Sequence, residues 1–204
     1  MDKKQLILSC CITAIFSSCS KENGHEYVDL GLTSGTKWAT MNIGANTPEE
    51  EGSSFAWGEI NSGHDRTWEK YKLACNSGRE LIRYNTLNQY GKVDYKTTLD
   101  ARDDAAAANW GGDWHIPTED QWEELLEECG INEVIDKNER VTLGYKIVSN
   151  KNGNYIFLPN ETYWSSTLCE DNPTSAYSYE LSSWERTQDI SSRIAHCNIR
   201  AVCE

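Results

Sequence analysis

The stretch GGDWHIPTEDQWEELLEECG, residues 111–130, allows fewer foldings than any other part of the chain. Thr118 places a side-chain oxygen at a helix N-cap, and Gln121 three residues on completes a capping box. Trp122, Leu125, Leu126 and Cys129 then recur at i, i+3, i+4 and i+7, a single apolar stripe. Gly130 reads as the C′ stop. Six carboxylates, Glu119, Asp120, Glu123, Glu124, Glu127 and Glu128, fill the remaining positions. Glu123 and Glu124 are adjacent, so they point about 100° apart and do not form a catalytic pair. The acidic face reads as solvated, except that Glu123 sits beside Trp122, where an arginine could draw it inward.

A second helix is expected in LDARDDAAAANWGG, with Asp100 as cap, Asp103 and Asp104 in the first turn, and Gly111 as stop. Three Asp in five residues read as capping, because calcium loops present their oxygens from irregular, Gly-bearing backbone. Residues 26–32 and 36–44 read as a hairpin around TSG, and 54–60 as a short strand. Residues 61–95 read as a long loop with one or two short strands. TLGYKIVSN and NYIFLPN flank a KNG turn. ETYWSSTL, AYSYELSS and RIAHCNIRAV read as three more strands, joined by polar loops at 169–175 and 184–192. These loops carry the ligand-like residues: Asp171, Asn172, Trp184, Glu185 and Arg186, with Tyr177 and Tyr179 on the strand between. Aromatics and polar groups at strand tips are a common binding arrangement.

The first residues read as an address. Lys3 and Lys4 precede an apolar run from about Leu6 to Phe16, then Ser17, Ser18 and Cys19. That run is too short to span a bilayer and has the order of a secretory signal. FSSC resembles the bacterial lipoprotein box, which makes residues 1–18 a signal peptide and Cys19 the lipidated residue. Residues 19–25 are then a lipidated polar tether, and 26–204 a single domain. A Lys followed by an acidic residue just after the Cys resembles a surface-export signal of Bacteroidota lipoproteins. More than one acyl chain on Cys19 would anchor the protein to a membrane stably.

Charge narrows the partners. Lys plus Arg number 19 against 32 Asp plus Glu, a net −13. Nucleic acid is excluded, since a duplex binder needs cations to replace phosphate counterions. Beyond the address, Cys75, Cys129, Cys169, Cys197 and Cys203 remain, so at least one thiol is free or pairs between chains. There is no CxxC, and the four His lack ligand spacing, so no metal or cofactor is expected. In one continuous strand Cys197 and Cys203 would lie roughly 20 Å apart and could not bond each other. All eight Trp lie beyond residue 37 and imply a core of aromatic and polar groups, because each indole N–H needs a partner.

Several segments together resemble one family. EYVDLGLTSGTKWATMNIGA, FAWGE, TTLDARDDAAAANWGGDWHIPTEDQWEELL, GYKIVSNKNGNYIFLP, YWSST and IRAV are similar, in order, to the Fibrobacter succinogenes major paralogous domain family. That family is related to the formylglycine-generating sulfatase-modifying enzymes, which carry a similar W-x-x-P-T-x-x-x-W-E, here Trp114 to Glu123. The resemblance implies an α+β, C-type-lectin-like fold: two helices on small antiparallel sheets, long loops and neighbouring termini. It makes Trp38, Trp57, Trp110, Trp114, Pro117, Trp122, Glu123, Trp164 and Arg200 structural residues. Trp114 and Pro117 would set the entry into the second helix, Trp122 would seat it, and Glu123 would pair with Arg200. The sulfatase-modifying enzymes need C-x4-C, whereas Cys197 and Cys203 are spaced C-x5-C. The E-P-N, Q-P-D and W-N-D motifs of calcium-dependent lectins are missing.

The expected function is non-enzymatic: a lipid-anchored envelope module, at the outer membrane and facing the cell surface, that binds a glycan or a protein through 169–192. The alternatives are a structural subunit of a surface fibre or outer-membrane complex, and a divergent copper or thiol oxidase.

Overall fold

The computed structural model describes residues 20–63, 65–181 and 186–204. In chain order the elements begin with β1 (Ser20–Glu22), β2 (His25–Asp29), β3 (Lys37–Ala39), β4 (Ser54–Phe55), β5 (Ala74–Cys75) and β6 (Glu80–Leu81). Two helices follow, α1 (Ala105–Trp110) and α2 (Glu119–Glu128). The rest is strand: β7 (Cys129–Asp136), β8 (Val141–Ser149), β9 (Tyr155–Pro159), β10 (Thr162–Leu168), β11 (Ser175–Leu181), β12 (Arg186–Ser192), β13 (Cys197–Asn198) and β14 (Val202–Cys203). The class is α+β, mostly sheet. The sheets run β1-β2-β3-β14, β12-β11-β10-β13-β4, β7-β8-β9 and β5-β6, and every pairing is antiparallel except β10 with β13.

The segment expected as a tether is folded. Asn23 and Gly24 both have positive φ, 45° and 87°, the conformation a tight two-residue hairpin turn requires. That turn closes β1 on β2, with Ser20 opposite Tyr27. Trp114 donates its indole N–H to Glu22 O at 2.8 Å, and Asn23 Nδ2 donates to Trp110 O. Trp110, half-buried, stacks on His25 at 4.1 Å.

The second helix starts as its sequence dictates. Thr118 Oγ1 accepts from Gln121 N at 3.2 Å, and Gln121 Oε1 accepts from Thr118 N at 2.9 Å. Its end differs: Gly130 is no stop, because the chain passes from Glu128 directly into β7. Its acidic face is also less solvated than expected. Glu124 accepts from Ser34 N (2.7 Å) and Ser34 Oγ (2.5 Å), and Glu128 accepts from Thr33 N (3.2 Å). Lys151 lies 2.7 Å from Glu128; its bond to that carboxylate, with those from Thr33, holds the carboxyl below the usual range.

The first helix begins later than its Asp run suggests. A 3-10 turn, Ala101–Asp103, intervenes, and the cap is Asp104. Asp104 Oδ1 accepts from Ala106 N (2.8 Å) and Ala107 N (3.0 Å), and its Oδ2 from Ile116 N (2.8 Å). Asp100 instead meets Lys96 at 2.6 Å. Gly111 ends the helix as expected, with φ 65°.

Indoles join the layers. Trp122 is fully buried, stacks on Tyr179 of β11 (5.0 Å, 18°), meets Trp38 of β3 edge-on (4.8 Å), and donates to Trp164 O at 3.2 Å. Trp164 donates to Phe55 O (2.7 Å) and Trp57 to Ser165 O (2.8 Å). Trp38, Trp57, Trp114 and Trp164 are all buried, as is Pro117.

The expected Glu123–Arg200 pair is not formed. Glu123, one position past Trp122, is turned about 100° away and is exposed. Arg200 is fully buried and donates Nε to Asn42 Oδ1 (2.9 Å) and Nη1 to Ala39 O (3.1 Å). Neutral acceptors thus take the place of a carboxylate. Burial lowers its pKa to about 10, so it stays charged at neutral pH.

These contacts separate two neighbouring residues energetically. Trp122→Ala should cost ~3–5 kcal/mol, as large-to-small changes at buried aromatics do. Glu123→Ala should change stability by less than about 0.5 kcal/mol, as an exposed position does. Urea melts of both variants check this, and similar losses would refute the packing described.

Candidate functional site

RIAHCNIRAV is not one strand. Its chain leaves β12, turns Arg193 inward, contributes β13 to one sheet and β14 to another, and turns Arg200 inward between them. Arg193 fixes the end of the candidate region. Fully buried, it donates Nε to Tyr71 Oη (2.8 Å) and Nη1 to Pro173 O (3.0 Å) and Tyr84 O (3.2 Å). Its guanidinium lies over Trp57 at 4.8 Å. This cation clamps the β10–β11 loop to the end of β12, and the sequence reading missed it.

The region read as a 184–192 loop is, from Arg186, strand β12. It pairs with β11 without a break from Ser175↔Ser192 to Leu181↔Arg186. Its alternation was hidden because RTQDISS is polar on both faces, so a period of two leaves little apolar trace. Directly opposed residues share a face. Tyr177 therefore lies beside Ile190, and Tyr179 beside Gln188.

The candidate residues fare differently. Trp184 and Glu185 lie outside the described residues. Arg186 opens β12 opposite Leu181. Asn172 spends its side chain inside its own loop: Oδ1 accepts from Thr174 Oγ1 (2.7 Å) and Nδ2 donates to Ser175 Oγ (3.2 Å). Tyr179 is no surface aromatic; it is 1% exposed beneath Trp122. Asp171 is exposed, and Tyr177 is half-exposed.

What comes together is Tyr177 and Ile190, the latter 49% exposed, with Gln188 and Glu119. Gln188 Nε2 donates to the Glu119 carboxylate and lies 3.5 Å from Tyr179 Oη. Glu119 is the first residue of α2, so the capped helix start delivers a carboxylate to the β12 edge. Partial burial raises its pKa; the Gln188 bond opposes this, and repulsion from Glu123, Asp120 and Glu170 adds to it. Burial also raises the Tyr177 phenol, with Glu119, Asp171 and Glu170 among the charges acting on it. The surface is therefore an apolar pair with the carboxylates of Glu119, Glu170 and Asp171 close enough to act on Tyr177. Glu119, Gln188 and Ile190 were not singled out from sequence: Ile190 is the one apolar residue of RTQDISS, too little to mark an alternation, and Glu119 is one of six carboxylates around the α2 stripe.

Among the described residues, no group of three or more His, Cys, Asp or Glu is placed to hold a metal ion. The five thiols at Cys75, Cys129, Cys169, Cys197 and Cys203 form no disulfide, and Cys75 alone of them is exposed. Cys197 and Cys203 sit in different sheets. Burial pushes their pKa values up, to about 12 and about 11 respectively, away from the thiolate that nucleophilic or copper chemistry uses. The chain matches no family model, no curated protein and no solved structure.

Thiol titration of native protein beginning at Ser20 should show Cys75 reacting within minutes at pH 8 and the buried four only on denaturation. Rapid native labelling of Cys197 or Cys203 would contradict the burial and reopen thiol chemistry.

Proposed function

We propose that the chain is a lipid-anchored, non-enzymatic binding module of the bacterial cell envelope, lipidated at Cys19 and exposed on the outer membrane. On this reading it carries a C-type-lectin-like domain of the Fibrobacter succinogenes major paralogous kind. It recognises a glycan or another protein at the β11–β12 edge. The observation that carries the reading is the pairing of half-exposed Tyr177 with exposed Ile190 on one strand pair, flanked on the same face by Tyr179 and the Trp122 stacked on it. The ordered family motifs, two helices on small antiparallel sheets, and a last strand that joins the sheet of the first two also support it. Because Ser20 already pairs with Tyr27, lipid on Cys19 would hold the domain close to the bilayer and not on a stalk. Among the described residues no helix is long and apolar enough to cross a membrane.

The buried, separated Cys197 and Cys203 weigh against a divergent oxidase. One observation favours a structural subunit instead: two apolar side chains, Ile135 (48% exposed) and Val141 (52%), stand out near the tip of the β7–β8 hairpin, on opposite faces of it by their pairing with Thr142 and Asp136.

Glycan arrays and cross-linking to envelope proteins separate the readings. Tyr177→Ala with Ile190→Ser should reduce binding about tenfold or more, while Ile135→Ser with Val141→Ser leaves it intact. The opposite pattern would replace recognition by assembly.

A further inference from the structure

We infer that the outer edge of β12 accepts an extended, Lys- or Arg-bearing polypeptide as an added strand. This rests on the recognition reading above and names its partner's chemistry: a polypeptide, not a glycan.

Three observations converge. First, β12 ends its sheet: its seven residues pair with β11 on one side, and no described strand pairs with the other. An edge strand presents unpaired N–H and C=O groups that an extended chain can satisfy. Secondly, most of the usual protections are missing: the charge of Asp189 remains, and its Oδ1 accepts from Ile190 N at 2.7 Å, a bond an incoming chain must replace. RTQDISS has no proline and no lysine, and the β11–β12 register has no bulge. At about 3.3 Å per residue the edge runs roughly 23 Å, long enough for several main-chain hydrogen bonds. Its middle residues, Gln188, Asp189 and Ile190, are all exposed.

Thirdly, the surrounding charge selects the partner. Glu119 of α2 and Glu170 and Asp171 of the β10–β11 loop lie close enough to act on Tyr177, and Glu123 of α2 on the neighbouring Tyr179. Asp189 and Glu180 belong to the opposite face of the same two strands, by alternation. Arg186 is the lone basic residue of β12 and stands at its start. An incoming strand alternates its side chains between the two faces, so both of its faces meet carboxylates. A basic segment with an apolar residue over Ile190 satisfies this surface; an acidic strand is repelled. The same repulsion keeps two copies of this acidic edge from pairing with each other.

The probe is an eight-residue peptide alternating lysine and valine, titrated by fluorescence anisotropy against protein beginning at Ser20. Two controls need no protein variant: the same peptide N-methylated at alternate residues, which keeps the charge and blocks strand pairing, and its glutamate–valine counterpart. The lysine–valine peptide should bind. N-methylation, glutamate, and separately Ile190→Lys should each weaken it about tenfold or more, and added salt should weaken it further. Equal binding of the N-methylated peptide would show charge attraction without strand addition and overturn the inference. So would binding unaffected by Ile190→Lys, or no binding of the lysine–valine peptide. If glycan or envelope-protein binding still depends on Tyr177 and Ile190 in those cases, the recognition reading survives and only strand addition falls.

Discussion

The contact on which the rest depends is the seat of Trp122. One side chain touches β3 through Trp38, β11 through Tyr179 and β10 through the Trp164 carbonyl. An indole suits this position because it fills a large apolar volume and still has a donor to place on a carbonyl. The helix is pinned at one end by the Thr118–Gln121 box and along its flank by Glu124 and Glu128 on the Thr33–Ser34 turn. Its first residue, Glu119, is thereby fixed beside Gln188 of β12. The packing that stabilises the centre also positions the outer surface.

Two buried guanidinium groups do related work without carboxylate partners in direct contact. Arg193 and Arg200 lie among carbonyl, amide and hydroxyl oxygens, the first where the chain leaves β12 and the second where it changes sheets between β13 and β14. An arginine has five donors in a planar fork, so it can satisfy several backbone acceptors at once where the chain is irregular. A carboxylate set beside either guanidinium would take donors that those oxygens now use.

Parts of this were readable in the residues and parts were not, for physical reasons. The Thr118 cap and the Trp122 stripe follow from local spacing and the indole-rich core from the number of Trp, and the structure has all three, except that the buried Trp38 indole N–H finds no acceptor among the described residues. The start of α1 was misplaced because three Asp compete for one cap; Asp104 wins because it alone also reaches Ile116 N, a contact across twelve residues. Residues 20–25 looked like a free tether because they are polar, yet the Asn23–Gly24 turn folds them back onto Trp110 and Trp114. The partner of Arg200 was misjudged because a charge suggests a counter-charge, while the acceptors it found are backbone and amide oxygens invisible to residue type. Tyr179 and Tyr177 differ by two positions and looked alike; only the placement of α2 makes one core and leaves the other at the surface.

The central claim is a strand pair held by Trp122 through Tyr179, with its outer edge open. Hydrogen exchange of protein beginning at Ser20 tests it most directly. Amides of β10 and β11 should exchange only on global opening, whereas the amides of β12 that point away from β11 should exchange orders of magnitude faster. Uniform protection across β12 would mean its edge is already covered, and fast exchange in β10 and β11 would mean Trp122 does not hold the sheet; either result contradicts the account.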